Sequence, residues 1–330
     1  MEEKKKKPLI VLAGPTAAGK TKLSLRLSQA VGGEIISADS MQVYRHMDIG
    51  SAKIRKEEME GVPHHLIDVL EPEEEFHVAR FQDMAKRALQ EIYARENIPI
   101  LVGGTGFYIQ ALLYDIDFSR GEEDTEYRRM LEAFARKEGA GALHERLRKV
   151  DPEAADMIHA NNVKRVVRAL EFYHQTGTRI SEHNEKERQK ESPYRFVYFV
   201  LNDDRGRLYD RIDRRVDQMM EEGLVEEVAY LKERGCRKGM VSMQGLGYKE
   251  ILAFLDGETS LEEAIRLLKR DTRHFAKRQI TWFKREPDCI WLNWKDYDDS
   301  EDAMLCAMLA KLRERKIMEN EIRSDDTGLL

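Results

Sequence analysis

The sequence predicts an α/β protein with a parallel sheet flanked by helices and a separate helical insertion. Three observations lead to this fold class. Apolar strands alternate with helices over the first third of the chain, a glycine-rich segment follows the first strand, and charged helical stretches replace the alternation from about residue 114. Alternation of strands and helices is typical of a parallel sheet covered on both faces, whose ligands bind at the carboxyl ends of the strands.

The first third of the chain contains six expected elements, followed by a glycine-rich segment. In chain order we expect a strand at 9–13, a helix at 20–30, strands at 34–38 and 63–69, a helix at 78–95, a strand at 99–102, and then the segment GGTGFYIQALL.

The segment after the first strand matches a phosphate-binding loop. GPTAAGKT comprises Gly14, Pro15, Thr16, Ala17, Ala18, Gly19, Lys20 and Thr21 and fits GxxxxGK(S/T) between a strand and a helix. Glycines permit tight curvature, so backbone N–H groups converge on an anion at the helix N-terminus. Lys20 can reach a terminal phosphate, and the Thr21 hydroxyl can ligate Mg²⁺. The fold is therefore expected to be P-loop NTPase-like, although nothing in this loop requires a nucleotide.

Two further strand ends carry polar groups beside this loop. After the second strand come Ser37, Asp39, Ser40 and Gln42, where the Asp39 carboxylate could hold Mg²⁺ through water, act as a general base, or only cap a turn. Ser40 and Gln42 have donors and acceptors suited to an adenine edge. The strand at 99–102 ends in Gly-Gly-Thr105 rather than in a metal-binding acid, which weakens an ATP-hydrolysis interpretation.

Adjacent histidines in VPHHLIDV do not predict a metal site. His64 and His65 point to opposite faces if they lie on a strand, so we expect a structural pair. The three cysteines, at 236, 289 and 306, are far apart and indicate neither a zinc site nor a disulfide framework.

The chain is expected to have two domains. Residues 1–113 and 196–320 form the predicted catalytic core, 114–195 the helical insertion, and 321–330 a flexible tail. Within the insertion we expect helices at 127–137, 142–150 and 163–175, followed by the polar segment RISEHNEKERQKES, with little core of its own. A strand at 196–201 returns to the sheet, and helices follow at 207–222, 224–234 and, as two helices, 261–284.

Two basic segments lie in the second half. RLYDRIDRRVDQMM places Arg211 and Arg215 one turn apart, where both could bind a diphosphate or pair with nearby aspartates. From Arg266 to Arg285 there are eight basic residues, interleaved with aromatic rings, and only Asp271 opposes them. A basic helix face is typical of nucleic-acid binding, but a solvated surface helix explains it as well.

Composition excludes several protein classes. A net charge of −6 argues against indiscriminate coating of nucleic acid, and 42% hydrophobic residues are typical of a globular protein. No apolar run is long enough to span a bilayer, and MEEKKKKP lacks an apolar signal region. We expect a cytoplasmic protein, monomeric, with no membrane association and no obligate protein partner.

Taken together, these stretches resemble the bacterial tRNA dimethylallyltransferases. The resemblance runs from about Leu9 to Trp291 and includes GPTAAGKTKLS, ISADSMQVYRHMDIGSAK, PHHLIDV, LVGGTGFYIQALL, RVVRALE, RIDRRVDQM, LGYKE and FAKRQITWFKRE in the family order. It implies Mg²⁺-assisted transfer of a dimethylallyl group from dimethylallyl diphosphate to N6 of the adenine 3′ of the anticodon. The phosphate loop would then hold the diphosphate of the prenyl donor, and the insertion would clasp the anticodon arm.

The resemblance also implies roles for individual residues. Asp39 matches the family's catalytic aspartate, and Lys20, Thr21, Thr105 and Arg211 or Arg215 complete the implied catalytic set. The tRNA-binding stretches of the family match Asp39, Ser40, Met41, Gln42, Thr105, Asn161, Asn162, Val163, Lys164, Arg165, Gln244, Gly245, Gly247, Tyr248, Lys277, Arg278, Gln279, Trp282 and Phe283. The implied partners are the anticodon stem-loop of a tRNA and dimethylallyl diphosphate.

Two alternatives remain at this point. A small-molecule or nucleoside kinase would use the same loop for ATP and Asp39 as base, but it leaves the basic helix and the insertion without a task. A noncatalytic, nucleotide-switched RNA-binding protein explains the basic helix but gives Asp39 no role.

Overall fold

The protein is described here by a computed structural model that covers residues 6–118 and 125–318. The expected tail at 321–330 lies outside these residues. The chain divides into two compact units. One comprises the described residues up to Leu113 and from Pro193 onward, and the other is Tyr114–Ser192.

A parallel sheet of six strands organises the first unit. In space the strands follow the order β3-β2-β4-β1-β5-β6. Their bounds are β1 Lys7–Ala13, β2 Gly33–Ser37, β3 His64–His65, β4 Ile98–Gly103, β5 Tyr194–Asn202 and β6 Cys289–Asn293. The central strand β1 pairs with β4 and β5, so that Ala13 lies between Gly103 and Val200. This register aligns the carboxyl ends of the three central strands at one edge of the sheet.

Helices cover both faces of this sheet, as the fold class predicts. The α-helices of this unit are α1 Lys20–Val31, α2 Val78–Ala94, α3 Gly106–Leu113, α9 Arg205–Glu221, α10 Leu224–Glu233, α11 Tyr248–Leu255, α12 Leu261–Phe283 and α13 Glu301–Glu314, and those that contact the strands include α1, α2, α3 and α13. One core cluster joins the apolar strand residues to α1 and α13, with Leu12, Leu23, Phe199 and Met304 fully buried. The apolar run of β1 is buried from Leu9 to Ala13 because helices pack on both of its faces.

Two expected elements of this unit are wrong. The strand expected at 63–69 is limited to His64–His65, because Leu66 and Asp68 adopt left-handed φ values of 64° and 54°, which a strand cannot contain. The two helices expected at 261–284 are one continuous helix of 23 residues. Its interior has neither proline nor glycine, so nothing interrupts the hydrogen-bond ladder.

The second unit is helical and has its own core, contrary to expectation. Its helices are α4 Thr125–Glu138, α5 Ala140–Val150, α6 Pro152–Met157, α7 Val163–Thr176 and α8 Ile180–Arg188. Leu131, Leu143, Leu147 and Val166 form the centre of this core and are at most 1% exposed. High charge conceals the apolar faces of α4, α5 and α7 that form this core, and the polar segment with no assigned structure also folds as a helix, α8.

No helix within the described ranges is both long enough and apolar enough to cross a lipid bilayer.

Candidate functional site

The phosphate-loop backbone has the shape that its glycines predict. Gly14 has φ +152°, and a Cβ there would lie 2.4 Å from the carbonyl oxygen of Leu201. Gly19 has φ +92°, and its Cβ would lie 3.0 Å from the Trp294 ring. Ala17 also takes a left-handed φ of 61°. Helix α1 begins after Gly19 without a side-chain cap and with no acidic residue in its first turn, so its N–H groups remain suited to an anion.

Trp294 supports this loop, although sequence reasoning did not identify it. Its indole N–H donates to the carbonyl of Ala18 at 2.8 Å, and its ring packs against Gly19. The residue immediately follows β6, a strand without a recognisable motif. Only the pairing of β6 with β5 shows that this tryptophan comes next to the loop.

Lys20 lies inside the phosphate loop. Its ammonium donates to the carbonyl oxygens of Gly14 and Pro15 at 2.9 and 2.7 Å. Burial lowers its pKa from 10.5 to about 8; the positive charge of Arg215 lowers it further, and Asp39 opposes both effects. Asp39 and Arg215 are therefore near enough to Lys20 to interact with its charge, which brings three predicted site residues together.

The two candidate arginines of α9 differ in their surroundings. Arg211 is paired with Asp203, whose side chain is fully buried just after β5. Arg215 has no acidic partner among the described residues, and burial followed by the charge of Arg211 lowers its pKa. A guanidinium without an acidic partner next to a partly buried ammonium concentrates positive charge that suits an anion with more than one negative charge.

Asp39 has one occupied and one available oxygen. Its Oδ1 accepts the backbone N–H groups of Met41 and Gln42 at 2.8 and 3.3 Å, which is the turn cap considered in the sequence. This contact fixes the carboxylate without using Oδ2. The Gln42 amide accepts from the Ser37 hydroxyl and donates to the carbonyls of Ser51 and Ala52, so its polar atoms bind within the protein.

The loop that carries Thr105 lies against the segment that carries Asp39. The Thr105 N–H donates to the carbonyl of Ala38 at 3.3 Å, and a Cβ on Gly103 would lie 2.3 Å from the same oxygen. Thr105 itself is partly exposed. The backbones that follow the two strand ends are therefore in contact, as the topology predicts.

Three predicted tRNA-binding side chains point inward. Tyr248 and Phe283 are 0% exposed and Gln279 is 6% exposed. The Tyr248 hydroxyl donates to Glu227 at 2.8 Å, and Gln279 bonds to Thr16 and Gly104. These three side chains are therefore not accessible to an RNA on the surface. The neighbouring Gln244 is exposed, while Gly245 and Gly247 are buried in the turn before α11.

A basic cavity lies along the last turns of α12. It has a volume of about 400 Å³ and is lined by His274, Lys277, Arg278, Thr281, Trp282 and Arg285. Trp282 packs edge-on to Phe107 with 6.1 Å between ring centroids. Farther from the cavity, Lys269 and Arg273 pair with Asp217 and Asp213. Unlike these two, Lys277 and Arg278 have no carboxylate partner in 6–118 or 125–318.

The predicted residues 161–165 lie within the second unit. Asn161 and Asn162 precede α7, and Lys164 and Arg165 are exposed on its first turn. The Asn162 side chain does not cap the helix, and the turn contains no acid. This helix start is therefore basic and accessible.

Thr21 is the predicted metal ligand of the phosphate loop. The side chains described include no group of three or more His, Cys, Asp or Glu residues suited to a metal. Thr21 is exposed at the start of α1, so its hydroxyl oxygen is accessible as a ligand of the hard, oxygen-binding type that Mg²⁺ prefers.

Comparison with known proteins identifies the family. The family model "IPP transferase" matches residues 42–286. The tRNA dimethylallyltransferase of Lachnoclostridium phytofermentans is 60% identical over 312 residues, which cover 94% of this chain and 99% of that protein. This chain belongs to the IPP transferase family. It is an enzyme, and the expected P-loop-like fold is confirmed.

Further relatives agree with this assignment. The tRNA dimethylallyltransferase of Acetivibrio thermocellus is 50% identical and covers 89% of the chain and 94% of its own length. The crystal structure of full-length tRNA isopentenylpyrophosphate transferase from Bacillus halodurans has a TM-score of 0.71 at 47% identity, covering 94% of this chain and 98% of that one. The structure of a eukaryotic dimethylallyltransferase acting on tRNA has a TM-score of 0.80 at 30% identity, and the match covers 96% of this chain and 82% of that one.

Proposed function

We propose that this enzyme transfers a dimethylallyl group from dimethylallyl diphosphate to N6 of the adenine 3′ of the anticodon in tRNA. The observation that carries this proposal is the arrangement of Lys20 and Arg215 at the phosphate loop, with Asp39 close enough to Lys20 to interact with its charge. Two cations beside a convergent set of N–H groups suit a diphosphate, and the available oxygen of Asp39 suits an amine that must lose a proton.

The leaving group is stabilised by the loop. When the C1–O bond of the prenyl donor breaks, negative charge develops on the diphosphate oxygens. Lys20, Arg215 and the loop N–H groups lie where they can balance that charge. We propose Mg²⁺ as the cofactor, held by the Thr21 hydroxyl and the diphosphate; when bound, it supplies further charge stabilisation.

Asp39 acts on the acceptor amine. The lone pair of adenine N6 is delocalised into the ring, so the amine becomes a better nucleophile as its proton leaves. The N6–C1 bond forms, the proton passes to Oδ2 of Asp39, and diphosphate departs. The turn formed by Met41 and Gln42 keeps that carboxylate oriented during the step.

Basic surfaces on both units bind the RNA in this proposal. Lys277, Arg278 and Trp282 line the α12 cavity, and Lys164 and Arg165 start α7. The target adenine must leave the anticodon stack to reach Asp39, as base-modifying enzymes require. Monomeric state and cytoplasmic location remain predictions from the sequence.

Separate transfer assays with labelled dimethylallyl diphosphate and with labelled ATP test this function. Purified protein is incubated with an unmodified anticodon stem-loop, labelled dimethylallyl diphosphate, and no ATP; we expect label on the RNA and none when the target adenine is replaced by guanine. Label that arrives only from ATP, on a small acceptor, would establish the kinase alternative instead.

Asp39 is tested by a matched pair of variants. Asp39→Asn retains an oxygen that can accept from Met41 and Gln42 but removes the base, whereas Asp39→Ala removes both. In both variants kcat should fall at least ~10²-fold, and the asparagine variant should retain its affinity for RNA. Normal turnover of Asp39→Asn would exclude a base role.

A further inference from the structure

Gln279 joins the two loops on which the proposed reaction depends. Its Oε1 accepts the N–H of Thr16 in the phosphate loop at 2.9 Å, and its Nε2 donates to the carbonyl of Gly104 at 2.9 Å. The side chain is 6% exposed. An N–H can only donate and a carbonyl can only accept, so these two partners also fix which end of the amide is which.

Helix α12 packs tightly against the loop around this contact. A Cβ on Gly104 would lie 2.2 Å from Nε2 of Gln279, and one on Gly106 would lie 2.2 Å from the Trp282 ring. Helix α12 therefore lies directly against the glycine loop. Lys277 and Arg278, which immediately precede Gln279, are exposed on the solvent-facing part of the same helical turn.

We infer that Gln279 is a positioning residue that sets the separation between the diphosphate loop and the loop bearing Thr105, and that it does so from the helix that binds RNA. This inference rests on the function proposed above. A buried amide that satisfies one donor and one acceptor holds both loops, and removing it leaves both groups without a partner. Because displacement of a reactant by about 1 Å can cost ~10² in rate, a small relaxation of either loop should reduce turnover.

The first test replaces the amide with an apolar side chain of similar length. Gln279→Met should lower kcat at least about tenfold and raise KM for dimethylallyl diphosphate, while Kd for the anticodon stem-loop changes less than about twofold. Hydrogen exchange at the Thr16 amide should be faster in the variant, without faster exchange in α1.

The matched control is another buried glutamine. Gln82 is 5% exposed and donates to the carbonyl of Ala111 at 2.7 Å. Gln82→Met removes a comparable buried hydrogen bond and should lower thermal stability while kcat and KM stay near wild type. If Gln82→Met loses as much kcat as Gln279→Met, or if Gln279→Met retains wild-type kcat, the positioning role is wrong.

The second variant separates positioning from mere loss of packing. Gln279→Glu has the same shape, and its neutral carboxyl can accept from Thr16 and donate to Gly104, whereas the carboxylate repels the Gly104 carbonyl. Burial raises the pKa of such a carboxyl, so the deficit in kcat/KM relative to wild type should shrink as the pH is lowered. A deficit independent of pH overturns the inference. Failure of the proposed function is distinguishable, because wild type itself would then transfer no prenyl group.

Discussion

The lowered pKa of Lys20 makes donor binding depend on pH in a defined way. Burial and the neighbouring Arg215 reduce this pKa from 10.5 to about 8, so the free enzyme loses the Lys20 charge above pH 8. A bound diphosphate places negative charge beside the ammonium and raises its pKa again. Binding must then take up a proton above pH 8 and none well below it.

The magnitude follows from proton linkage. Affinity should be constant below about pH 7 and weaken by up to tenfold for each pH unit above about 8, which is 1.36 kcal/mol per unit. At about pH 9, binding should take up about 0.9 proton per site. The terminal phosphate of a diphosphate ester ionises near pH 6, below this window, so the ligand contributes little.

Calorimetry can measure both quantities. A non-reactive thiolo analogue of dimethylallyl diphosphate is titrated into the enzyme between about pH 7 and about pH 9.5 in buffers of different ionisation enthalpy. Lys20→Met should bind weakly with a flat pH profile. Lys22→Met is the matched control, because Lys22 follows two residues later in α1 with its side chain 74% exposed, and it should keep the wild-type profile. A flat wild-type profile, or no proton uptake at about pH 9, would refute the reasoning.

Three other predictions concern stability, the arginines and RNA binding. The buried Glu34 carboxylate accepts hydrogen bonds from Arg95, Asn97 and His65, which hold its pKa at about 2 rather than 4.5. Glu34 therefore contributes about 3 kcal/mol to the free energy of unfolding above pH 4.5, and this contribution is lost as the pH falls towards 2. The free energy of unfolding of Glu34→Gln, measured with denaturant, should fall less steeply with acid than that of the wild type. Arg215→Met should raise KM for the prenyl donor more than tenfold without lowering the melting temperature. Arg211→Met instead removes the nearer of the two arginines that pair with the buried Asp203 and should lower the melting temperature; the opposite ranking in a thermal melt and a KM assay would contradict the assignment. Reversing the charge of Lys277 or Arg278 should weaken stem-loop binding and reduce the slope of log K against log salt by roughly 0.7–0.9 per phosphate contact. An unaltered slope would show that this part of α12 is a solvated surface that does not bind RNA.

Local patterns in the sequence were sufficient to predict the phosphate loop and four of the six strands, β1, β2, β4 and β5, whereas β3 was predicted too long and β6 was not predicted. Both glycines of GPTAAGKT adopt positive φ values, as a tight phosphate-binding turn requires, and the apolar run of β1 is buried on both faces. The parallel topology then brings Asp39 and Thr105 together, because both follow strands that end at the same edge. These features depend on local periodicity and on a general property of parallel sheets.

Long-range contacts could not be predicted in this way. Helical periodicity placed Gln279 on a basic helix but could not show that its amide reaches residues 263 and 175 positions away. The same applies to Trp294 at the loop and to Asp203 beneath Arg211. The left-handed residues Leu66 and Asp68 interrupted an otherwise apolar strand pattern because tertiary contacts outweigh local propensity.

The most direct test of this account is a crystal structure of the enzyme with pyrophosphate and an anticodon hairpin. We expect the pyrophosphate within hydrogen-bond distance of Lys20 and the N–H groups of the phosphate loop, with the flipped adenine placing N6 within reach of Oδ2 of Asp39. An empty loop at residues 14–21, or an adenine bound far from Asp39, would contradict it.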